Sequence, residues 1–270
     1  MDEFGRERDD QTTREPDDQA TERLRDLADE ATGALRDRPP DIFAPIDEDA
    51  PISGHHPPPE LTLPGAEAPE HDWAAARTRV FPLLRAGGLQ GTPVNEARSV
   101  SLADSLANTQ PLVDDGPAGL TVVYGLAAEG FAVLVNAEHL FSWGIEGPEL
   151  HAAAMANLSA WSAQAEWDDE RTDERRLLSS STGDGYDASR VLLPEARTRL
   201  AQLGAEAPGT RVLVGLPERD LLVAGALRPG DDEFAALFGE FLAEQSAAAT
   251  VPIDTRVFEL RGSELVEFTG

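Results

Sequence analysis

The sequence has no cysteine and no lysine. Without cysteine there is no disulfide, no thiolate metal site and no cysteine nucleophile. Without lysine there is no P-loop lysine, no Schiff base and no lysine general base; all 22 basic residues are arginine. No apolar run approaches membrane-spanning length. The opening "MDEFGRERDD" has no apolar core, so no secretory signal is expected there. Positive charge is scarce too: 50 acidic residues give a net charge of −28. Such a field repels phosphate backbones and anionic lipid. Neither nucleic acid nor a membrane surface is therefore an expected partner, and a soluble cytoplasmic protein is the expectation.

What is present divides in two. Residues 1–70 read as an acidic, proline-rich tail, with nine prolines from Pro39 to Pro69. Proline blocks helix interiors and central strands, so an extended, largely disordered segment is expected. Only Leu24, Leu27, Ala28, Ala31 and Leu35 fall at helical spacing, which predicts a short helix near 20–37. Residues 71–270 read as a single α+β domain, with enough of the chain's 41% hydrophobic content to build a core.

Within that domain, Trp73, Val80, Phe81 and Leu84 suggest a helix cut or kinked at Pro82. "GLTVVYGLA" (119–127) and "GFAVLVN" (130–136) predict a hairpin turning at Ala128–Glu129. A helix is expected over 148–164, with Leu150, Ala154, Leu158, Trp161 and Ala165 as its buried stripe. "EWDDERTDERR" (166–176) reads as a solvated helix end and loop. "RRLLSSS" and "SRVLLP" follow as a strand pair. Then come a helix opened by Pro194 and stopped at Gly204, and a third pair, "TRVLVGL" and "DLLVAGAL". In the last helix Phe234, Leu237, Phe238, Phe241 and Leu242 repeat at i, i+3, i+4, i+7 and i+8. "RVFELRG" and "ELVEFTG" close the chain as a hairpin. Strand–strand–helix units with short connections predict a mostly antiparallel sheet with helices packed on it.

The most pointed stretch is "SSSTGDGYDASR" (179–190). Its two glycines and serines resemble an anion nest, but no helix opens directly after them. Asp184-Gly185 between apolar segments is a strong hairpin signal, so the expectation is a β-hairpin joining strands near 176–182 and 187–193.

The segments "RVFPLL" (79–84), "LTVVYGL" (120–126), "FSWGIEGPELHAAAMANL" (141–158), "GYDASRVLLPE" (185–195) and "VGLPERDLLVAG" (214–225) occur in an order that resembles the YtpQ-like proteins. That is a bacterial family of unassigned function. The resemblance covers roughly 75–270 and implies that these segments belong to one domain. It carries no activity with it. Two departures stand out: "GLAAEG" lacks the acidic residue expected after the tyrosine, and residues 96–116 are unusually polar.

The candidate catalytic residues are His151, Asp187, Ser189 and Arg190, because a His–carboxylate pair beside a serine supports acyl transfer. His139, Glu146 and Glu149 flank the same cleft in that reading. No G-x-S-x-G elbow accompanies them. Tyr186 and Arg219 are candidate ligand-binding residues, the latter in the "PERD" turn, where pairing with Asp187 or Asp220 is the expected role. His55, His56 and His71 with Glu60 and Glu70 match no metal-site spacing, so no metal is expected, and no cofactor. Trp143, Trp161 and Trp167 are expected in the core. The leading expectation is a non-catalytic binding or regulatory domain recognising a protein partner or small ligand. The alternatives are a hydrolase-type enzyme using a His/Asp/Arg cleft, and an acidic neutraliser of a basic protein.

Overall fold

In a computed structural model the described residues are 71–97, 110–128, 131–172 and 175–270. The tail expected over 1–70 and its helix near 20–37 lie outside them, as do His55, His56, Glu60 and Glu70. The protein is α+β, and its strands form two sheets instead of the single sheet expected. The smaller contains β1 (Val80–Arg85), β2 (Thr92–Pro93), β3 (Leu112–Asp115), β4 (Thr121–Ala128) and β5 (Phe131–Leu134). Its order is β1-β4-β3-β2, with β5 also on β4. Only the β2–β3 pair is parallel. The larger sheet contains β6 (Asp168–Arg171), β7 (Arg176–Ser180), β8 (Arg211–Glu218), β9 (Leu221–Leu227), β10 (Phe258–Arg261) and β11 (Glu264–Glu267). It is antiparallel throughout, in the order β11-β10-β8-β9-β7-β6. The helices are α1 (Trp73–Ala76), α2 (Ala137–Trp143), α3 (Gly147–Ser162), α4 (Pro194–Ala201) and α5 (Asp232–Ala248).

Three expected hairpins form: β4–β5, β8–β9 and β10–β11. The first helix does not extend as predicted; it stops at Ala76, and residues 80–85 are a strand with Pro82 inside it. Phe81 pairs with Gly125 in the ladder, whereas the Leu84 N–H points away from β4 and donates to the Ser189 hydroxyl at 2.9 Å. Pro82 shares Leu84's side of the strand, so its missing N–H costs no ladder bond. The run 166–176, expected as helix end and loop, contains β6 instead. All four of its residues are exposed, and it pairs by backbone with β7. Charged side chains on an outermost strand discourage pairing with another molecule.

Both faces of the larger sheet's centre are covered, which explains the near-continuous apolar run of β8 and β9. Val212, Val214, Leu216, Leu222, Ala224 and Ala226 belong to one core with Val80, Leu84, Val122 and Tyr124 of the smaller sheet. On the opposite parity, Gly215 lies under Leu242 and Gly225 under Phe234, both on α5. Asp231 caps that helix by accepting the Phe234 N–H at 3.1 Å.

A β-carbon at Gly215 would come within 2.2 Å of the Leu242 side chain. Gly215→Val is therefore expected to force α5 off the sheet and destabilise by about 1–3 kcal/mol, the usual penalty of overpacking. A chemical-denaturation midpoint equal to that of the parent would refute this tight seat.

Candidate functional site

Residues 179–190 do not form the expected hairpin. Leu178 pairs with Asp169 of β6 and Ala224 of β9 instead of Val191. Residues 188–192 turn as a short 3₁₀ helix. The left-handed glycines are present, with φ of +74° at Gly183 and +87° at Gly185. What closes the loop is a side chain. The Asp187 carboxylate accepts the Ser180 hydroxyl at 2.7 Å, the Thr182 N–H at 3.0 Å and the Gly183 N–H at 3.1 Å. A carboxylate that satisfies backbone N–H groups competes with the strand ladder for them. The Asp184 carboxylate accepts the Tyr186 N–H at 2.9 Å, completing a second local turn.

Arg190 joins the two acids. Its Nη1 donates to Asp187 at 2.6 Å and its Nη2 to Asp184 at 2.5 Å. Arg190 is 1% exposed and Asp187 is fully buried. Burial opposes ionisation of Asp184, but Arg190, the Tyr186 N–H and the Trp161 indole hold its pKa below the ordinary value. Burial pushes the Asp187 carboxyl up, against the pull of Ser180, Thr182 and Arg190. Two carboxylates sharing one guanidinium are thus separated in acidity by their surroundings.

The "PERD" turn clamps this loop from below. Asp220 accepts the Gly185 N–H at 2.9 Å, and the Arg219 carbonyl accepts the Ala188 N–H at 3.0 Å. The Arg219 side chain pairs with Asp220 at 3.1 Å, one of the two partners expected for it. Tyr186 stacks on Phe81, centroids 4.6 Å apart. Burial, and then the nearby Asp184 charge, raise its phenol to about 12, so it stays protonated.

This loop walls an open cleft of about 700 Å³. Phe81, Trp161, Glu166, Asp168, Asp184 and Arg190 are among its lining residues. Trp161 was expected in the core but is 54% exposed, in contrast to Trp143, which is buried. It lies in the last turn of α3, whose buried residues end at Leu158. Its Nε1–H donates to Asp184 at 2.7 Å, and its ring meets Phe81 edge to face, centroids 6.4 Å apart.

Of the four candidate catalytic residues, the fold gathers three. Asp187, Ser189 and Arg190 share the loop, and the Ser189 hydroxyl is occupied by the Leu84 N–H. His151 lines a different cleft, of about 450 Å³, with Asp114, Leu192, Arg197 and Glu264. There Nδ1 of His151 lies 2.8 Å from the Tyr124 hydroxyl, which also reaches Asp114 at 3.1 Å. Burial, and then Asp114, hold the Tyr124 phenol well above its ordinary pKa. Glu149 accepts the Trp73 indole N–H at 2.7 Å, and His139 completes a capping box with Asn136 at the start of α2. Among the described residues no cluster of three His, Asp or Glu could hold a metal, and no helix is long and apolar enough to cross a membrane. Comparison with known protein families, curated proteins and solved structures finds no match for the chain.

Proposed function

We propose that the protein is a non-catalytic binding domain whose cleft beside residues 179–190 receives a small ligand or a side chain of a protein partner. The observation that carries this reading is the use made of Asp187, Ser189 and Arg190. The Asp187 carboxylate, the Ser189 hydroxyl and both terminal nitrogens of Arg190 already have polar partners inside the protein, and together they brace the loop that walls the cleft. Above that wall sits Trp161, exposed yet fixed by its hydrogen bond to Asp184. A concave, half-apolar site with a few oriented polar groups is the general form of a ligand pocket. The same proposal takes the chain as a cytoplasmic relative of the YtpQ-like proteins, and the charge of −28 argues against nucleic acid as its partner.

A fragment screen by NMR on the full chain tests it. Hits should shift the Trp161 indole and the Thr182 and Gly183 amides. Trp161→Ala should abolish those hits while changing stability by no more than about 1–2 kcal/mol, since the half-exposed side chain gives up one hydrogen bond and one ring contact. Hits gathered on other surfaces, or untouched by Trp161→Ala, would remove the reading.

One observation favours an enzyme instead. If Tyr124 donates to Asp114, His151 Nδ1–H donates to Tyr124 and leaves Nε2 as a proton acceptor in the smaller cleft. In that reading the base is His151 alone, without Asp187 or Ser189. Any turnover on a broad ester panel that disappears with His151→Gln would support it.

A further inference from the structure

We propose that the group seated beside Trp161 is an organic cation, a guanidinium or an alkylammonium. This rests on the ligand-cleft reading above and gives it a chemistry.

The first argument is charge. Among the described residues, Arg190 is the sole cationic one lining the cleft. Its guanidinium is already engaged by two carboxylates, Asp184 and Asp187, so it offers no unmatched positive charge to a ligand. Glu166 and Asp168, also lining the cleft and exposed, add two negative charges. Neither has an ion-pair partner among the described residues. Two exposed carboxylates without a counter-charge thus stand at the cleft beside the indole. An anionic ligand is repelled there, while a cation neutralises them.

The second argument is the ring. Indole is the strongest of the aromatic faces for a cation. Trp161 is half exposed, and two contacts fix its plane: the bond from Nε1 to Asp184 and the near-perpendicular Phe81 ring, inclined at 77°. The hydrogen bond places a carboxylate's charge at the edge of the indole, which strengthens the attraction of a cation to its face. A bare metal ion is a poor alternative. It needs six or so oxygen ligands, and no such group gathers among the described residues. A bulky, weakly hydrated cation with an apolar surface suits two aromatic rings and scattered carboxylates better.

The cation has two sources, a free small molecule or an arginine side chain of a partner. Three probes separate them: choline, its uncharged isostere 3,3-dimethylbutan-1-ol, and Nα-acetylarginine methylamide. Each is titrated into the full chain while the Trp161 indole N–H is followed by NMR. At least one cation should bind, with the isostere at least about tenfold weaker, and binding should weaken as salt is raised. Trp161→Ala, followed at the Thr182 and Gly183 amides because the indole is gone, should cost about five- to thirtyfold in affinity, the range of a cation–π contact as it becomes desolvated. Glu166→Gln with Asp168→Asn, at exposed positions that leave the fold intact, should weaken binding and flatten its salt dependence. Preference for choline indicates a small-molecule ligand, and preference for the blocked arginine a partner side chain. If the isostere binds as well as choline, the cation proposal falls while the cleft remains a ligand site. If no probe moves the indole at millimolar concentration, the cation proposal also falls, and the fragment screen decides separately about the cleft.

Discussion

Arg190→Leu is expected to destabilise the protein by about 3–5 kcal/mol, the cost of stranding a buried ion pair. The leucine fills much of the volume but leaves two carboxylates close together, one of them fully buried, with no guanidinium between them. Asp187 keeps its bonds from Ser180, Thr182 and Gly183, so the loop's backbone is still partly tied. The damage is therefore electrostatic. Asp187→Asn is expected to cost less, about 1–3 kcal/mol. It removes one of two competing charges at a place where burial already disfavours ionisation, but it turns an NH₂ toward groups that donate. Urea unfolding with an unchanged slope reads both values. If Arg190→Leu were milder than Asp187→Asn, the guanidinium would not be the hub of this network.

Phe238→Ala is expected to cost about 3–5 kcal/mol, combining lost transfer energy with an unfilled cavity. Phe238 is fully buried, in the middle of α5, between Phe234 one turn before it and Leu242 one turn after. Its neighbours collapse poorly. Phe234 is seated over Gly225, and Leu242 over Gly215. A helix that relaxed toward the hole would carry both into backbone. Thermal or urea unfolding measures the effect, and a loss below about 1 kcal/mol would mean that α5 slides freely on the sheet.

The helix α5 was legible because five apolar residues repeat with helical period and an acid opens its first turn. The hairpins were legible because short apolar strands flank turn residues. What escaped is instructive. Pro82 pointed to a helix kink, since nothing in the sequence says that one side of β1 lies outside the ladder. Asp184-Gly185 signalled a hairpin, and Gly185 does take positive φ, yet Asp187 diverted the return segment into a 3₁₀ turn. That outcome had a weak signal. A run of serine, threonine and glycine followed by aspartate is a set of short-range donors and an acceptor. Asp187, Ser189 and Arg190 were gathered by sequence proximity alone. His151, 36 positions before Asp187, had no local reason to join them and does not. Trp161 was placed in the core because periodicity extended the stripe of α3 one turn too far. Its bond to Asp184 spans 23 residues, beyond any local pattern.

The outermost strand of the larger sheet has a colloidal consequence. The pH of zero net charge for the chain is about 4.3. There, long-range repulsion between molecules fades and proteins tend to associate. Most carboxylates are losing their charge in that range. Asp169 on β6 is not among them, because the Arg176 guanidinium, 2.7 Å away, holds it at about 2. The open rim of the sheet therefore keeps a hydrated ion pair when the rest of the surface has become nearly neutral. Association at the isoelectric point is therefore expected to spare this edge of the sheet, so that neutralisation should return native molecules to solution.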